Sequence, residues 1–140
     1  MRPSEVVFND KITNRDKFGV YLRARRHELG LSSRSFADEL NLSAAYISDV
    51  EKGNRYAPLE HLEQIVRVLQ IEEGEIEYFY DLAGCTHKNW PDINEYLAKT
   101  PNARKAIRLA RDRNVSEKDF LNIVENLRQN NLIYQEEIEK

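Results

Sequence analysis

The chain has 140 residues, 41% hydrophobic and 32% charged, with a formal net charge of −3. That length accommodates one domain, or one small domain plus an appendage, around a core of modest size. The acidic balance argues against a surface coated uniformly for nucleic acid, the lone Cys85 cannot form an internal disulfide, and no apolar run approaches the roughly 20 residues of a membrane span.

No secretory leader is visible at Met1, so the expected location is the cytoplasm. Charge is unevenly spread. Residues 1–55 hold ten Lys/Arg against eight Asp/Glu, and residues 56–140 hold eleven against sixteen. Within 15–34 the ratio is six to two. A basic patch on an acidic chain suits an electrostatic footprint confined to one face, although a solvated helix face gives the same count.

Residues 1–15 read as an irregular N-terminal arm with a small apolar knot at Val6, Val7 and Phe8. Beyond it the periodicity is helical nearly throughout, and no alternation is long enough for a sheet. Asp16 is expected to cap a first helix with Phe18, Tyr21, Leu22 and Leu29 near one face and Gly30 as its stop. Ser32 or Ser33 can cap a short second helix with Phe36, Ala37 and Leu40 inward, and Asn41 suits the turn that follows. Ser43 caps a third helix in which Ile47 and Val50 share the core side, with Gly53 as its stop. Residues 54–58 form a loop. Leu59, Leu62, Ile65, Val66 and Leu69 mark a fourth helix. A fifth runs from Glu72 to about Ala83, with Ile76, Phe79, Tyr80 and Ala83 inward.

A second section follows Gly84. Pro91 opens a helix carrying Ile93, Tyr96 and Leu97. Ala103, Ala106, Ile107 and Ala110 have helical spacing on the next, and Phe120, Leu121, Val124 and Leu127 on the one after. The tail keeps Leu132, Ile133, Tyr134 and Ile138, too many apolar residues for a purely solvated end.

Two short helices joined by a turn near Asn41-Leu42 match a helix-turn-helix. The second helix of such a pair enters the DNA major groove, about 12 Å wide, with its N-terminal residues at the base edges. Ala44 and Ala45 permit close approach, and their methyls can pack on thymine methyls. Tyr46 offers a hydroxyl to a phosphate and a ring to a sugar or base. Ser48 and Asp49 complete the candidate base-reading set. Asp49 repels phosphate, so it either accepts from a cytosine amino group or holds a neighbouring Arg.

Residues 18–83 resemble the Cro/CI-type, or Xre, family of helix-turn-helix regulators. The resemblance is carried by "LRARRHELGLSSRSFADELNLSAAYISDVEKGNRYAP". Arg26, Gly30-Leu31-Ser32, Phe36-Ala37, Leu40, Ser43, Ile47-Ser48, Glu51, Gly53 and Pro58 fall where the family pattern expects such residues. Ser33 and Ala44 stand where the family often has Gln, so phosphate clamp and base readout must differ in detail from Gln-bearing members.

The resemblance implies an all-α fold: a five-helix lambda-repressor-like DNA-binding domain at 16–84, then a small C-terminal helical segment at 85–140. It also implies phosphate contacts from Ser33, Arg34, Ser43, Lys52, Asn54 and Arg55, which position the protein without carrying sequence information. Arg26 and Glu51 are expected to tie helices together, because buried polar groups must be paired. Arg23 and Arg25 are expected on a solvated face.

The text "FYDLAG" and "WPDINEYLAKTPNARKAIRLARDRNVSEKDFLNIVENL" resembles the tail of a subset of Xre-type regulators, many carried on mobile elements. It suggests a dimerisation or partner-binding segment. Arg104, Arg108 and Arg111 form a basic stripe that either touches flanking DNA or pairs with the acids of this half.

Three function classes compete. The first is a sequence-specific regulator, a repressor acting as a homodimer on a palindromic double-stranded operator. The second is an antitoxin with the same reading head and a toxin held by residues 85–140. The third, an enzyme, lacks an acid–base set, a phosphate-cradling glycine loop and a metal motif of the HExxH kind. Cys85 and His87 are two potential ligands without a partner cluster, so neither metal nor cofactor is expected.

Overall fold

The computed structural model describes residues 12–139, with side chains described through residue 130. The apolar knot at Val6–Phe8 lies outside the described residues. All regular structure among the described residues is helical. The order is α1 (Asn14–Glu28), α2 (Ser33–Glu39), α3 (Ala44–Glu51), a 3-10 turn (Leu59–His61), α4 (Leu62–Val68), α5 (Glu73–His87), α6 (Pro91–Lys99), α7 (Pro101–Asp112) and α8 (Glu117–Glu139). The all-α expectation holds. The chain forms two compact units, one up to Asn94 and one from Glu95. The boundary read at 84–85 lies inside α5.

Helix ends in the first unit follow local chemistry. Thr13, not Asp16, is the N-cap of α1: its hydroxyl accepts from the Asp16 N–H, and the Asp16 carboxylate reaches back to the Thr13 N–H. Asp16 is thus the far half of a capping box, which satisfies two orphan donors at once. Ser32 caps α2 and Ser43 caps α3, each accepting an N–H three residues on. The C-termini share one device. Gly30, Asn41, Gly53, Gln70 and Lys88, and Asn114 in the second unit, all have positive φ, and the residue after each donates back to the helix it has left, as Leu42 N–H does to Ala37 O at 2.9 Å.

The core of the first unit is formed by Phe18 and Leu22 of α1, Phe36 and Leu40 around α2, Ile47 and Val50 of α3, Leu62, Ile65 and Leu69 around α4, and Phe79 and Ala83 of α5. Phe79 is its aromatic centre, with ring centroids 5.6 Å from Phe18 and 5.8 Å from Tyr21. α1 packs across α3 and α5, and α2 lies on α3. Gly19 permits the α1–α3 approach, since a Cβ there would collide with the carbonyls of Val50 and Glu51.

Two helix bounds differ from the sequence reading. α4 begins at Leu62 because Leu59–His61 closes as a 3-10 turn behind Pro58. α5 continues past Ala83 to His87. Gly84 is not a stop but a point of close approach, where any Cβ would run into the indole of Trp90.

In the second unit Thr100 precedes Pro101, which opens α7 at a position where a missing N–H costs nothing. Arg104 donates to the C-terminal carbonyls of α6, to Leu97 O at 2.6 Å and Ala98 O at 2.8 Å. Arg111 pairs with Asp112. Two members of the expected basic stripe are therefore engaged locally. Ile107 and Leu109 of α7, and Phe120, Leu121, Ile123, Val124 and Leu127 of α8, are exposed.

Candidate nucleic-acid interface

α2 and α3 are joined by Leu40–Ser43, with Asn41 in the left-handed region at φ 56°. That single residue turns the chain sharply enough to stack α2 on α3. Ile47 and Val50 fasten α3 to the core. Ala45 lies on the opposite face, and both it and Ala44, the first residue of α3, are exposed at the N-terminal end.

The flanks of α3 are built differently. On one side Ser48 is half-buried and joins Arg23, Arg26, Ser33, Glu51 and Lys52 around a polar recess of about 180 Å³. Arg26 forms the floor. Its Nε donates to both Glu51 oxygens at 3.1 and 3.0 Å, Nη2 donates to Oε1 at 2.7 Å, and Nη1 donates to Leu31 O at 2.7 Å. The pair is the expected tie between helices, with side chains only 10% and 5% exposed. On the other side Tyr46 is half-buried against the core margin, not fully outward as the helix pattern suggested. It lines a wider groove with Leu42, Pro58 and Leu59. The Arg55 guanidinium lies over its ring at 4.9 Å. Arg55 Nε also donates to Asp49 Oδ2 at 3.4 Å.

The loop after α3 is held from behind. The Thr86 hydroxyl accepts from Ala57 N–H at 3.2 Å and donates to Ala83 O at 2.7 Å. His87 Nε2 lies 2.7 Å from Ala57 O, and since a carbonyl only accepts, that nitrogen carries the proton. Tyr56 stacks on the His87 ring at 4.9 Å, and the Arg15 guanidinium lies over Tyr56 at 5.2 Å. Of the two residues read as a possible metal pair, His87 belongs to this backbone clasp. No group of three potential metal ligands converges among the described residues.

The candidate residues fall into two settings. Ala44, Ala45, Arg34, Ser43, Lys52, Asn54 and Arg55 are exposed. Ser33, Ser48, Asp49 and Tyr46 are partly covered. Ser43 spends an oxygen lone pair on its cap and keeps its hydroxyl proton for an outside acceptor. Arg25 departs from the solvated-face reading. Its guanidinium donates to Leu69 O and Gln70 O, both at 2.8 Å, and pairs with Glu28, so it ties α1 to the end of α4. Sequence reasoning missed Arg25, Thr86 and His87, because each is bonded to backbone at least 29 residues away.

Comparison with known proteins agrees with this geometry. Residues 17–79 match the model of a family described as a helix-turn-helix domain. The chain is similar to control protein C.BamHI of Bacillus amyloliquefaciens, with 31% identity over 72 residues, which is 51% of this chain and 89% of that protein. No solved structure matches. No helix among the described residues is long and apolar enough to cross a membrane. With its capped α2–turn–α3 pair and a relative covered over nearly its whole length, the chain belongs to the Cro/CI-type (Xre) helix-turn-helix family of DNA-binding transcriptional regulators.

Proposed function

We propose that the chain is a sequence-specific repressor, acting in the cytoplasm as a homodimer on a palindromic double-stranded operator, with α3 in the major groove. The observation that supports this most directly is the small, exposed N-terminal end of α3. Ala44 and Ala45 are both exposed in the first turn of α3, Ala45 on the side away from Ile47 and Val50, and leave room for base edges. Ala44, Ala45, Tyr46, Ser48 and Asp49 form the readout set, with Asp49 acting through Arg55. Ser33, Arg34, Ser43, Lys52, Asn54 and Arg55 meet phosphates on either side. A two-fold dimer spaces its reading helices one helical turn apart, about 34 Å, which makes the operator a palindrome.

Ala44→Glu tests this reading. A carboxylate at the groove entrance repels DNA and fills the gap, while an exposed site tolerates the change in fold. Operator binding is lost with the melting curve preserved. Wild-type affinity in that variant removes α3 from the groove.

A second reading, the antitoxin, draws on the exposed apolar residues of α7 and α8. It requires a different protein to cover them, and co-purification of a stoichiometric partner from the native source tests it.

A further inference from the structure

Arg23 stands on α1 four residues after Gly19 and three before Arg26. Residues at that spacing share a helix face. Gly19 lets the face close on the carbonyls of Val50 and Glu51, which carries Arg23 to the end of α3. There it joins Lys52, Ser33 and Ser48 around the recess of about 180 Å³ that Arg26 and Glu51 floor.

The charges of the recess differ in standing. The Glu51 carboxylate accepts three hydrogen bonds from Arg26, so the floor is a closed pair without net charge. Arg23 and Lys52 are exposed, and neither side chain has an ion-pair or hydrogen-bond partner among the described residues. The hydroxyls of the half-buried Ser33 and Ser48 have none there either. Two free cations and two hydroxyl donors thus line one opening over a neutral floor. That set suits an anion whose oxygens only accept, and a guanidinium offers such oxygens a planar pair of N–H donors.

We propose that this recess holds one backbone phosphate of the bound duplex, with Arg23 and Lys52 as its cations and Ser33 as a hydroxyl donor. The assignment rests on the DNA-binding reading and deepens it. Ser33 and Lys52 converge on a single phosphate, and α1, through Arg23, joins α2 and α3 in anchoring the protein. The competing role is structural: cations near the last carbonyls of α3 offset the helix dipole. That role changes stability and leaves the salt dependence of DNA binding untouched.

The test is duplex binding by the full chain, read by fluorescence anisotropy across a range of salt. It uses the fragment upstream of its own gene and a scrambled fragment of equal length. Arg23→Gln is expected to weaken both by about tenfold. It is also expected to lower the slope of log K against log salt by about one, with the melting curve unchanged. Arg23→Lys is expected to restore the slope but only part of the affinity, since it keeps the charge and loses the paired donors. Single phosphates of the upstream fragment are then replaced in turn by neutral methylphosphonates. The replacement that falls in the recess is expected to cost the native chain affinity, and to cost less in both Arg23→Gln and Lys52→Gln. Arg34→Gln, outside the recess, is expected to keep the full native cost at that phosphate.

Native affinity and slope in Arg23→Gln overturn the proposal. So does a lowered melting temperature with a native slope, which gives Arg23 to the end of α3. Coupling of Arg23 and Lys52 to different phosphates overturns the shared site. Where the native chain prefers the upstream fragment, any of these results sinks the recess alone. Equal native binding to both fragments sinks the sequence-specific reading, and the salt slope of Arg23→Gln still decides the recess, because phosphate contacts carry no sequence. A native chain that binds neither duplex removes both.

Discussion

Asp49 and Arg55 form an ion pair across the exit of α3, with Arg55 Nε 3.4 Å from Asp49 Oδ2 and the guanidinium laid over the Tyr46 ring. On a helix proposed to face DNA, a carboxylate is costly unless its charge is answered. The Arg55 cation offsets it and keeps further N–H groups for DNA. Arg55→Ala is therefore expected to weaken operator binding twice over, by removing a cation and by uncovering Asp49. In an Asp49→Ala background the same substitution should cost less, by about 1 kcal/mol. Equal losses in both backgrounds, in a double-mutant cycle by fluorescence anisotropy, would separate the two residues functionally.

Arg26 and Glu51 form the opposite kind of pair, nearly buried and fully bonded. Removing one partner leaves an unanswered charge under α3. Glu51→Ala is expected to destabilise the fold by about 3–5 kcal/mol in urea titration. Replacing both by Met and Leu should cost much less, because no buried charge is then left. A double variant as unstable as Glu51→Ala would assign the loss to packing.

The clasp on Ala57 links α5 to the loop that carries Arg55. Thr86→Val keeps the shape and deletes the acceptor of a buried N–H, at an expected cost of about 1–3 kcal/mol. Faster hydrogen exchange at the Ala57 amide, together with weaker operator binding, is the expected signature. Unchanged exchange there would mean that His87 and Tyr56 hold the loop alone.

Arg34 is exposed at the start of α2 and its expected role is purely electrostatic. Arg34→Ala should weaken specific and scrambled DNA alike and lower the slope of log K against log salt by about one. A loss confined to one sequence would make Arg34 a base reader.

Local chemistry made much of the fold legible. Cap residues such as Ser32 and Ser43, and the turn residues Gly30, Asn41 and Gly53, act within a few residues of their own position, and the sequence shows those residues directly. Gln70 and Lys88 take the same left-handed conformation without an informative side chain, so the ends of α4 and α5 were less visible. Gly84 resembled a stop, yet its small size serves Trp90 six residues on. The site followed the same rule. The outward position of Ala45 follows from helix periodicity, and that of Ala44 from its place at the start of α3, just after the Ser43 cap. The partial burial of Tyr46 depends on Pro58 and Leu59, which the 3-10 turn brings beside it. Tyr46→Ala consequently removes packing as well as a polar contact, and Tyr46→Phe is the cleaner probe of its hydroxyl.

The central claim is that α3 reads a specific operator. A salt-dependent titration of the purified protein tests it, using the fragment upstream of its own gene and a scrambled fragment of equal length. The account predicts preference of about a thousandfold for the upstream fragment, within the range of specific regulators, and its loss in Ala44→Glu. Weak and equal binding to both fragments, unchanged by Ala44→Glu, would contradict it.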